Sequence, residues 1–209
     1  MLNEIYRRLD RHYGHLGWWP AETQLEVILG AILTQNTAWT NVEKALRALK
    51  RQGLLSLEGL RDLPETQLAL WIRPSGYYHQ KARKIHAFLE FLDSRYAGSL
   101  SRMAGAETGE LREQLLRIHG IGPETADCIL LYAMDKPLFV VDAYTRRVLI
   151  RHGICSADLS YDELQRLIEN EVMPDVRICN QYHALLVQVG KDFCRKQAQC
   201  AGCPLEPLL

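Results

Sequence analysis

The sequence predicts an all-α protein, and three observations lead to that class. Apolar residues recur at helical spacing along most of the 209-residue chain, whereas the alternating pattern of strands is nearly absent. Glycine and proline interrupt the periodic stretches at intervals that are typical of turns between helices. The hydrophobic content of 47% is enough for a buried core in one or two small domains.

The first predicted helix covers 2–15, because Leu2, Ile5 and Leu9 share one apolar stripe before Gly14 interrupts the pattern. The same spacing predicts every later helix, and residues 194–209 read as irregular. In chain order, the predicted helices are 2–15, 21–35, 38–52, 56–62, 64–72, 78–96, 108–118, 123–134, 143–153, 161–174 and 178–191.

The charge balance and the hydropathy exclude several classes of protein. With 25 basic and 25 acidic residues, the chain is not a purely electrostatic nucleic-acid binder, although local basic clusters remain. It has no run of eighteen apolar residues, so we predict no membrane partner. The N-terminus is amphipathic and contains acids, unlike a signal peptide, which favours a cytoplasmic protein with reduced thiols.

A glycine-containing turn joins the predicted helices 108–118 and 123–134. Gly120 and Gly122 allow backbone angles that other residues resist, and Pro123 suits the first position of a helix. Amide groups in such a turn lack partners within the helix and can hold a phosphate. Taken alone, the pattern also fits an ordinary turn between two helices.

Asp142 follows an apolar run at 138–141 and precedes a predicted helix. At that place an aspartate caps the helix by accepting hydrogen bonds from its first amides. A carboxylate held in this way stays ionised and aimed. Capping is therefore compatible with a catalytic role, such as stabilising a cationic sugar or orienting a water molecule.

These segments resemble the helix-hairpin-helix DNA glycosylases of the endonuclease III superfamily. The resemblance is carried by four blocks that span nearly the whole chain in the family's order, at 33–37, 76–82, 118–127 and 140–142. It implies a two-lobed helical fold with a helix-hairpin-helix motif and a central cleft that receives a base flipped out of DNA. The implied lobes are a six-helix lobe at 17–137 and a second lobe formed by 1–16 plus 138–209.

The same resemblance implies the roles of individual residues. Asp142 is the expected catalytic carboxylate, and Gln35 is expected to fill the gap that the flipped base leaves, although composition alone makes it a polar helix end. The expected partner is double-stranded DNA with a damaged base, bound by a monomer. The residues assigned to DNA binding are Gln35, Lys81, Gly120, Gly122 and Thr125.

Glu124 is where the chain departs from the bifunctional members of the family, which carry lysine at this place. The lysine amine attacks the sugar and forms a Schiff base, after which the strand is cut. A carboxylate cannot form a Schiff base, so we expect a monofunctional enzyme without AP lyase activity. Glutamate in this motif is similar to the 3-methyladenine DNA glycosylases of the superfamily.

Three tryptophans are candidates for the base pocket: Trp18, Trp19 and Trp39. N-alkylated purines are cationic, and an aromatic face attracts a cation by about 0.5–2 kcal/mol. The alternative for Trp18 and Trp19 is that they pack the two lobes together, since tryptophan is a common interface residue.

Cys194, Cys200 and Cys203 resemble the iron–sulfur loop of the same superfamily. That loop has four cysteines, and the fourth place falls on Leu209. A [4Fe–4S] cluster normally uses four thiolates. The open alternatives are a cluster with an atypical fourth ligand, a loop that has lost its iron, and a zinc site with an added ligand.

The sequence thus predicts a base-excision repair DNA glycosylase that hydrolyses the N-glycosidic bond of alkylated purines such as 3-methyladenine. One alternative is an endonuclease III-like glycosylase for oxidised pyrimidines or mismatched bases, with or without AP lyase activity. A second alternative is a DNA-binding repair module without catalysis, favoured by Glu124 and the incomplete cysteine set.

Overall fold

The computed structural model describes residues 1–172 and 175–209, and within these ranges the chain forms twelve α-helices and no strand. This confirms the predicted all-α class. Short 3₁₀ helices lie at Arg73–Ser75 and Glu206–Leu208, and a π-helical turn lies at Ile129–Ala133. The α-helices are α1 Leu2–Tyr13, α2 Gln24–Leu33, α3 Trp39–Arg51, α4 Leu57–Arg61, α5 Glu65–Trp71, α6 Tyr78–Tyr96, α7 Leu100–Ala104, α8 Thr108–Leu116, α9 Pro123–Cys128, α10 Ala143–Arg151, α11 Tyr161–Glu171 and α12 Val176–Asp192.

One short helix, α7, is absent from the sequence prediction. Ser99 caps it by accepting a hydrogen bond from the amide of Arg102. A single capped turn of five residues is too short to show apolar periodicity, so only the serine could have indicated it. The predicted helix 161–174 ends at Glu171, and its last two residues lie outside the described part of the chain.

Two compact units are formed by different parts of the chain, and the first covers Pro20–Asp135. Its central helix is α2, in which every residue from Leu25 to Leu33 is buried. A helix that is apolar on all sides belongs inside a core. Within this unit α2 packs against α3, α6, α9 and the π-helical turn, so it supports the helices that carry the hairpin.

The π-helical turn replaces the end of the predicted helix 123–134. The amide of Met134 donates to the carbonyl of Ile129, five residues earlier, instead of four. The carbonyl of Ala133 accepts a hydrogen bond from the side-chain amide of Gln24, at 2.8 Å. A side chain from another helix thus donates a hydrogen bond to a carbonyl that lies at the end of the π-helical turn.

The second unit combines Met1–Trp19 with Lys136–Leu209. Helix α1 buries Leu2, Ile5 and Leu9 completely and packs against α11 and α12. The hydroxyl of Tyr182 donates to the carbonyl of Leu2 at 2.8 Å. The division predicted from sequence, 17–137 against 1–16 plus 138–209, and the central cleft stay predictions. Among the described residues, every helix is too short or too polar to span a bilayer.

Candidate functional site

The predicted helix-hairpin-helix consists of α8, a turn at 117–122 and α9, all within the first unit. Gly120 has φ +79°, a conformation that L side chains rarely adopt. A Cβ at this position would also crowd the Lys84 side chain, which would have to move aside. Gly122 is the N-cap of α9 and has no side chain to cap the first amides of that helix. Those amides are therefore placed as an anion-binding helix start requires.

Gln35 and Lys84 hold the hairpin turn to the end of α2. The side-chain amide of Gln35 donates to the carbonyl of Gly120 at 3.3 Å and to the hydroxyl of Thr125 at 2.8 Å. The Lys84 ammonium donates to the Gln35 carbonyl oxygen. The structure thus brings together three residues predicted for DNA binding and adds Lys84, whereas the predicted insertion of Gln35 into DNA stays a prediction.

An ion pair joins the two helices of the hairpin. Arg112 of α8 donates to both carboxylate oxygens of Asp127 in α9, at 2.7 and 3.2 Å. The Asp127 side chain is fully buried, whereas that of Arg112 is 22% exposed. A two-point contact of this kind fixes the angle as well as the distance between its partners. It therefore sets the geometry of the turn between the helices.

Lys81, also predicted to bind DNA, is buried within the first unit, and the residue is only 2% exposed. It donates to the carbonyls of Leu33 at 2.8 Å and Ser75 at 2.6 Å. Burial, followed by the charge of Lys84, lowers the pKa of Lys81 to about 8. These two contacts hold α6 to the end of α2, and the predicted contact of Lys81 with DNA stays a prediction.

Asp142 caps α10 in the second unit, as the sequence predicted. Its Oδ1 accepts the amide of Thr145 at 2.7 Å, and its Oδ2 lies 3.7 Å from Nε2 of His183. Burial opposes ionisation, but the His183 imidazole and the Thr145 amide outweigh it and hold the pKa of the Asp142 carboxyl below its ordinary value. The structure therefore provides an ionised carboxylate with a defined orientation.

Glu124 lies exposed in the first turn of α9. Its carboxylate stands at the position that carries lysine in bifunctional family members, beside the turn formed by Gly120 and Gly122. Negative charge is favourable at a helix start. Glu124 is therefore compatible with a stable α9, and it places no amine at this point of the hairpin.

The tryptophans lie in different units and are described separately. In the second unit, the Trp18 and Trp19 rings meet edge to face, with centroids 5.8 Å apart, and Nζ of Lys191 lies 5.4 Å from the Trp18 ring. In the first unit, Nε1 of Trp39 donates to Glu43 at 3.1 Å. All three rings are partly exposed. Lys191 thus places a cation beside Trp18, which is the kind of contact on which the predicted base pocket depends, and the pocket itself stays a prediction.

The three C-terminal cysteines line one small cavity of about 30 Å³, together with His152. Two arginines of α10 hold this loop in place. Arg147 donates to the carbonyl of Cys194 at 2.6 Å, and Arg151 donates to the carbonyls of Arg195 at 2.6 Å and Lys196 at 2.9 Å.

These residues do not fit a metal cluster in the arrangement that the structure shows. Within residues 1–172 and 175–209, no three His, Cys, Asp or Glu side chains are placed to hold one ion. The place of the fourth cysteine is Leu209, which cannot ligate iron. The chemistry of the site is accordingly derived from the protein side chains alone.

The sequence did not indicate two residues that contact the predicted ones, which are His183 in the second unit and Lys84 in the first. Both lie in the interior of long predicted helices, and both meet their partners through packing between helices rather than through a local motif. His183 is only 4% exposed, on a helix with many buried residues. Its position in the sequence therefore resembles that of any core residue, and only the fold brings it to Asp142.

The chain matches a family model and several relatives in sequence. The model described as HhH-GPD superfamily base excision DNA repair protein matches residues 29–174. A candidate DNA repair glycosylase of Methanocaldococcus jannaschii is 45% identical over 208 residues, covering 99% of this chain and 94% of that protein. Endonuclease III of Thermotoga maritima is 26% identical, covering 99% of this chain and 89% of that protein.

Solved structures show the same fold. The H. pylori 3-methyladenine DNA glycosylase bound to 1,N6-ethenoadenine matches with a TM-score of 0.80 and 28% identity, covering 91% of this chain and 97% of that one. A non-covalent endonuclease III–DNA complex matches with a TM-score of 0.83 and 22% identity, covering 100% and 94%. At that identity the second likeness concerns the fold alone.

Proposed function

The chain belongs to the HhH-GPD superfamily of base excision DNA repair proteins, and from this we propose that it is a monofunctional DNA glycosylase for alkylated purines such as 3-methyladenine. The observation that carries the proposal is Glu124 at the start of α9, together with the ionised Asp142. The first removes the amine that a lyase needs, and the second keeps the carboxylate that hydrolysis needs. The likeness to the H. pylori enzyme supports the choice of base.

In the proposed reaction, the hairpin anchors the DNA backbone and the damaged base is flipped out of the helix. The C1′–N bond breaks, and the cationic base leaves as a neutral molecule with the bonding electron pair. The Asp142 anion stabilises the positive charge that develops on the sugar. Water gives its hydroxyl to C1′ and its proton to Asp142, from which it passes to solvent. The products are the free base and an abasic site.

The test is base release from duplex DNA that contains radiolabelled 3-methyladenine, with strand breaks scored before and after alkali. We expect free base, with breaks only after alkali treatment and no covalent complex trapped by borohydride. Breaks before alkali, or a trapped complex, would instead support the endonuclease III-like alternative, which the Thermotoga relative favours. DNA binding without release of any base would support the non-catalytic module.

Asp142→Asn is the decisive variant. Asparagine still caps a helix, so the fold should be retained, whereas the anion is lost. We expect base release to fall by at least about 100-fold. Asp175→Asn is the matched control, because Asp175 also caps a helix in the same unit, with its Oδ1 accepting the amides of Arg177 and Ile178. Equal losses in both variants would indicate a structural effect only.

The C-terminal loop with Cys194, Cys200 and Cys203 has three possible states: a cluster with an atypical fourth ligand, a zinc site with an added ligand, and a loop without metal. Measuring the content of iron, labile sulfide and zinc in the purified protein distinguishes the three states of this loop. About four iron and four sulfide per chain indicate a cluster. About one zinc per chain indicates a mononuclear site with an added ligand. Absence of all three indicates a loop that is held by its arginine contacts.

A further inference from the structure

We propose that His183 is the positioning residue for the Asp142 carboxylate. This inference deepens the proposed function and rests on Asp142 being the catalytic carboxylate. Oδ1 of Asp142 is fixed by the Thr145 amide at 2.7 Å, and Oδ2 faces Nε2 of His183 at 3.7 Å. The hydrogen bond from Thr145 fixes one oxygen, and the imidazole approaches the other at ion-pair distance, longer than a direct hydrogen bond. A group on each oxygen favours one rotation of the carboxylate about its Cβ–Cγ bond, which a single capping contact does not.

The pair lies in surroundings that exclude most water. The side chain of His183 is 5% exposed and that of Asp142 is 13% exposed. The Phe139 ring meets the imidazole edge to face, with centroids 6.5 Å apart. Because the effective dielectric constant is low at such a site, a charge on the imidazole acts on the carboxylate more strongly than it would at the surface.

Two helices hold the pair in register. His183 and Gly190 lie two turns apart on α12, so they share the face that packs on α10. A Cβ at Gly190 would lie 2.5 Å from the Tyr144 ring, so glycine permits this close approach. Arg147 donates to the carbonyl of Gly190 at 3.1 Å and lies over the Tyr144 ring. The distance between His183 and Asp142 is therefore set by a rigid contact between helices.

Ionisable groups on the neighbouring helix α1 are directed to other positions of α12. Asp10 accepts a hydrogen bond from Gln181 at 2.9 Å, and the Tyr13 hydroxyl donates to Asp192 at 3.1 Å. From α10, the carboxylate that faces His183 is Asp142. The imidazole and the capping carboxylate thus act on each other, and an effect of His183 on Asp142 can be measured directly.

Three variants separate positioning from packing. His183→Leu removes the polar contact, and His183→Gln retains a neutral donor at a similar reach. Tyr182→Phe is the matched control on the same helix, because it removes a buried hydrogen bond to Leu2 and leaves Asp142 untouched. We expect the single-turnover rate of base release to fall by about 10–100-fold in His183→Leu and to recover largely in His183→Gln. Binding of abasic-site DNA should change less than about twofold in every variant.

A second measurement needs no substrate. In protein labelled with ¹³C at aspartate carboxyls, the Asp142 signal is assigned by its loss in Asp142→Asn, and its titration is followed with pH. We expect the midpoint to move to higher pH in His183→Leu and to stay in place in Tyr182→Phe. An unchanged titration together with an unchanged rate overturns the inference.

The two proposals fail in distinguishable ways. If the wild-type protein releases no alkylated purine, the proposed function fails, and the carboxyl titration still decides whether His183 acts on Asp142. If Asp142→Asn abolishes release and His183→Leu retains the full rate, only the inference about His183 fails.

Discussion

Lys81 supports the hairpin that we predict to bind DNA through buried contacts with the backbone. The ammonium is buried between the carbonyls of Leu33 and Ser75, at the end of the helix that leads to Gln35. Gln35 in turn holds the hairpin through Gly120 and Thr125. Lys81 therefore stabilises the hairpin indirectly, because it holds the backbone at the end of α2, which in turn positions Gln35.

Replacing Lys81 by methionine should lower the stability of the fold more than its affinity for DNA. Two buried carbonyls would lose their donor, at a cost of about 1–3 kcal/mol each. Urea unfolding measures the first effect, and titration with duplex DNA measures the second. A large loss of affinity for DNA with unchanged stability would instead support the predicted contact of Lys81 with DNA.

The same lysine predicts a pH dependence of stability. Its pKa is about 8 in the folded state against an ordinary value of 10.5, so the unfolded chain binds more protons between these values. The positive charge of Lys81 is therefore less favourable in the folded protein than in the unfolded chain, although its two hydrogen bonds stabilise the fold. This cost is lost as the pH rises from 8 to 10.5, so the protein becomes more stable over that range. Urea unfolding at several pH values should show this slope in the wild type and its loss in Lys81→Met.

Single residues also mark the limit of sequence reasoning. Gly120, Glu124 and Asp142 stand in local patterns whose chemistry can be read from neighbouring residues. His183 has no such pattern, and the block at 76–82 that contains Lys81 does not show that its ammonium is buried. The contacts of His183 with Asp142 and of Lys81 with Leu33 join distant segments of the chain. A buried histidine near a carboxylate and a buried lysine under a turn become visible only once the helices are packed.

At the scale of elements, apolar periodicity was enough to find the long helices, but their ends depend on particular caps. Ser99 begins α7 and Ser160 begins α11 with a full capping box. Apolar periodicity does not indicate the π-helical turn after α9. The turn depends on Gln24, which lies on another helix and donates a hydrogen bond to the carbonyl of Ala133. Such features depend on contacts that are distant in sequence.

The hairpin depends on the ion pair between its helices, so Arg112→Met should be strongly destabilising. It leaves the fully buried Asp127 carboxylate without its bidentate partner, at a cost of about 3–5 kcal/mol. Arg117→Met is the matched control, because Arg117 pairs with Glu113 at 3.5 Å and both side chains are more than 70% exposed. The control should cost no more than about 1 kcal/mol.

Chemical unfolding of both variants measures this difference. If Arg112→Met costs no more than Arg117→Met, the buried pair does not stabilise the hairpin. The double variant Arg112→Met/Asp127→Leu provides a further check, because it removes the charge that the single variant leaves behind. It should recover much of the lost stability.

At the scale of the whole molecule, the equal numbers of acidic and basic residues limit how much charge attraction can contribute to DNA binding. Each ionic contact between a basic side chain and a phosphate makes DNA binding depend more steeply on salt. A chain with no net charge has no excess of basic residues for such contacts. The hairpin offers backbone amides instead of additional cations. The composition and the hairpin together therefore favour binding through a small number of directed contacts.

In the second unit, helix α1 completes a core whose other helices lie between residues 136 and 209. Met1 pairs with Glu171 at 3.3 Å, and Leu9 is fully buried. Asp142 and His183 lie in this unit, so the capping carboxylate depends on a helix that is remote from it in sequence. The periodicity of α1 was evident from the sequence, and the family resemblance implied that 1–16 shares a lobe with 138–209. The particular contacts of α1 with α11 and α12 follow from the packing of the fold.

Leu9→Ala should therefore destabilise the unit that holds Asp142 without touching the carboxylate. Truncating a fully buried leucine costs about 2–5 kcal/mol, a large share of the 5–15 kcal/mol that stabilises a typical domain. Arg11→Ala, at an exposed position of the same helix, should change stability by less than about 0.5 kcal/mol. We expect Leu9→Ala to retain the wild-type rate of base release at low temperature and to lose it on heating before the control does. A reduced rate at low temperature, where the variant is still folded by circular dichroism, would show instead that α1 shapes the site directly.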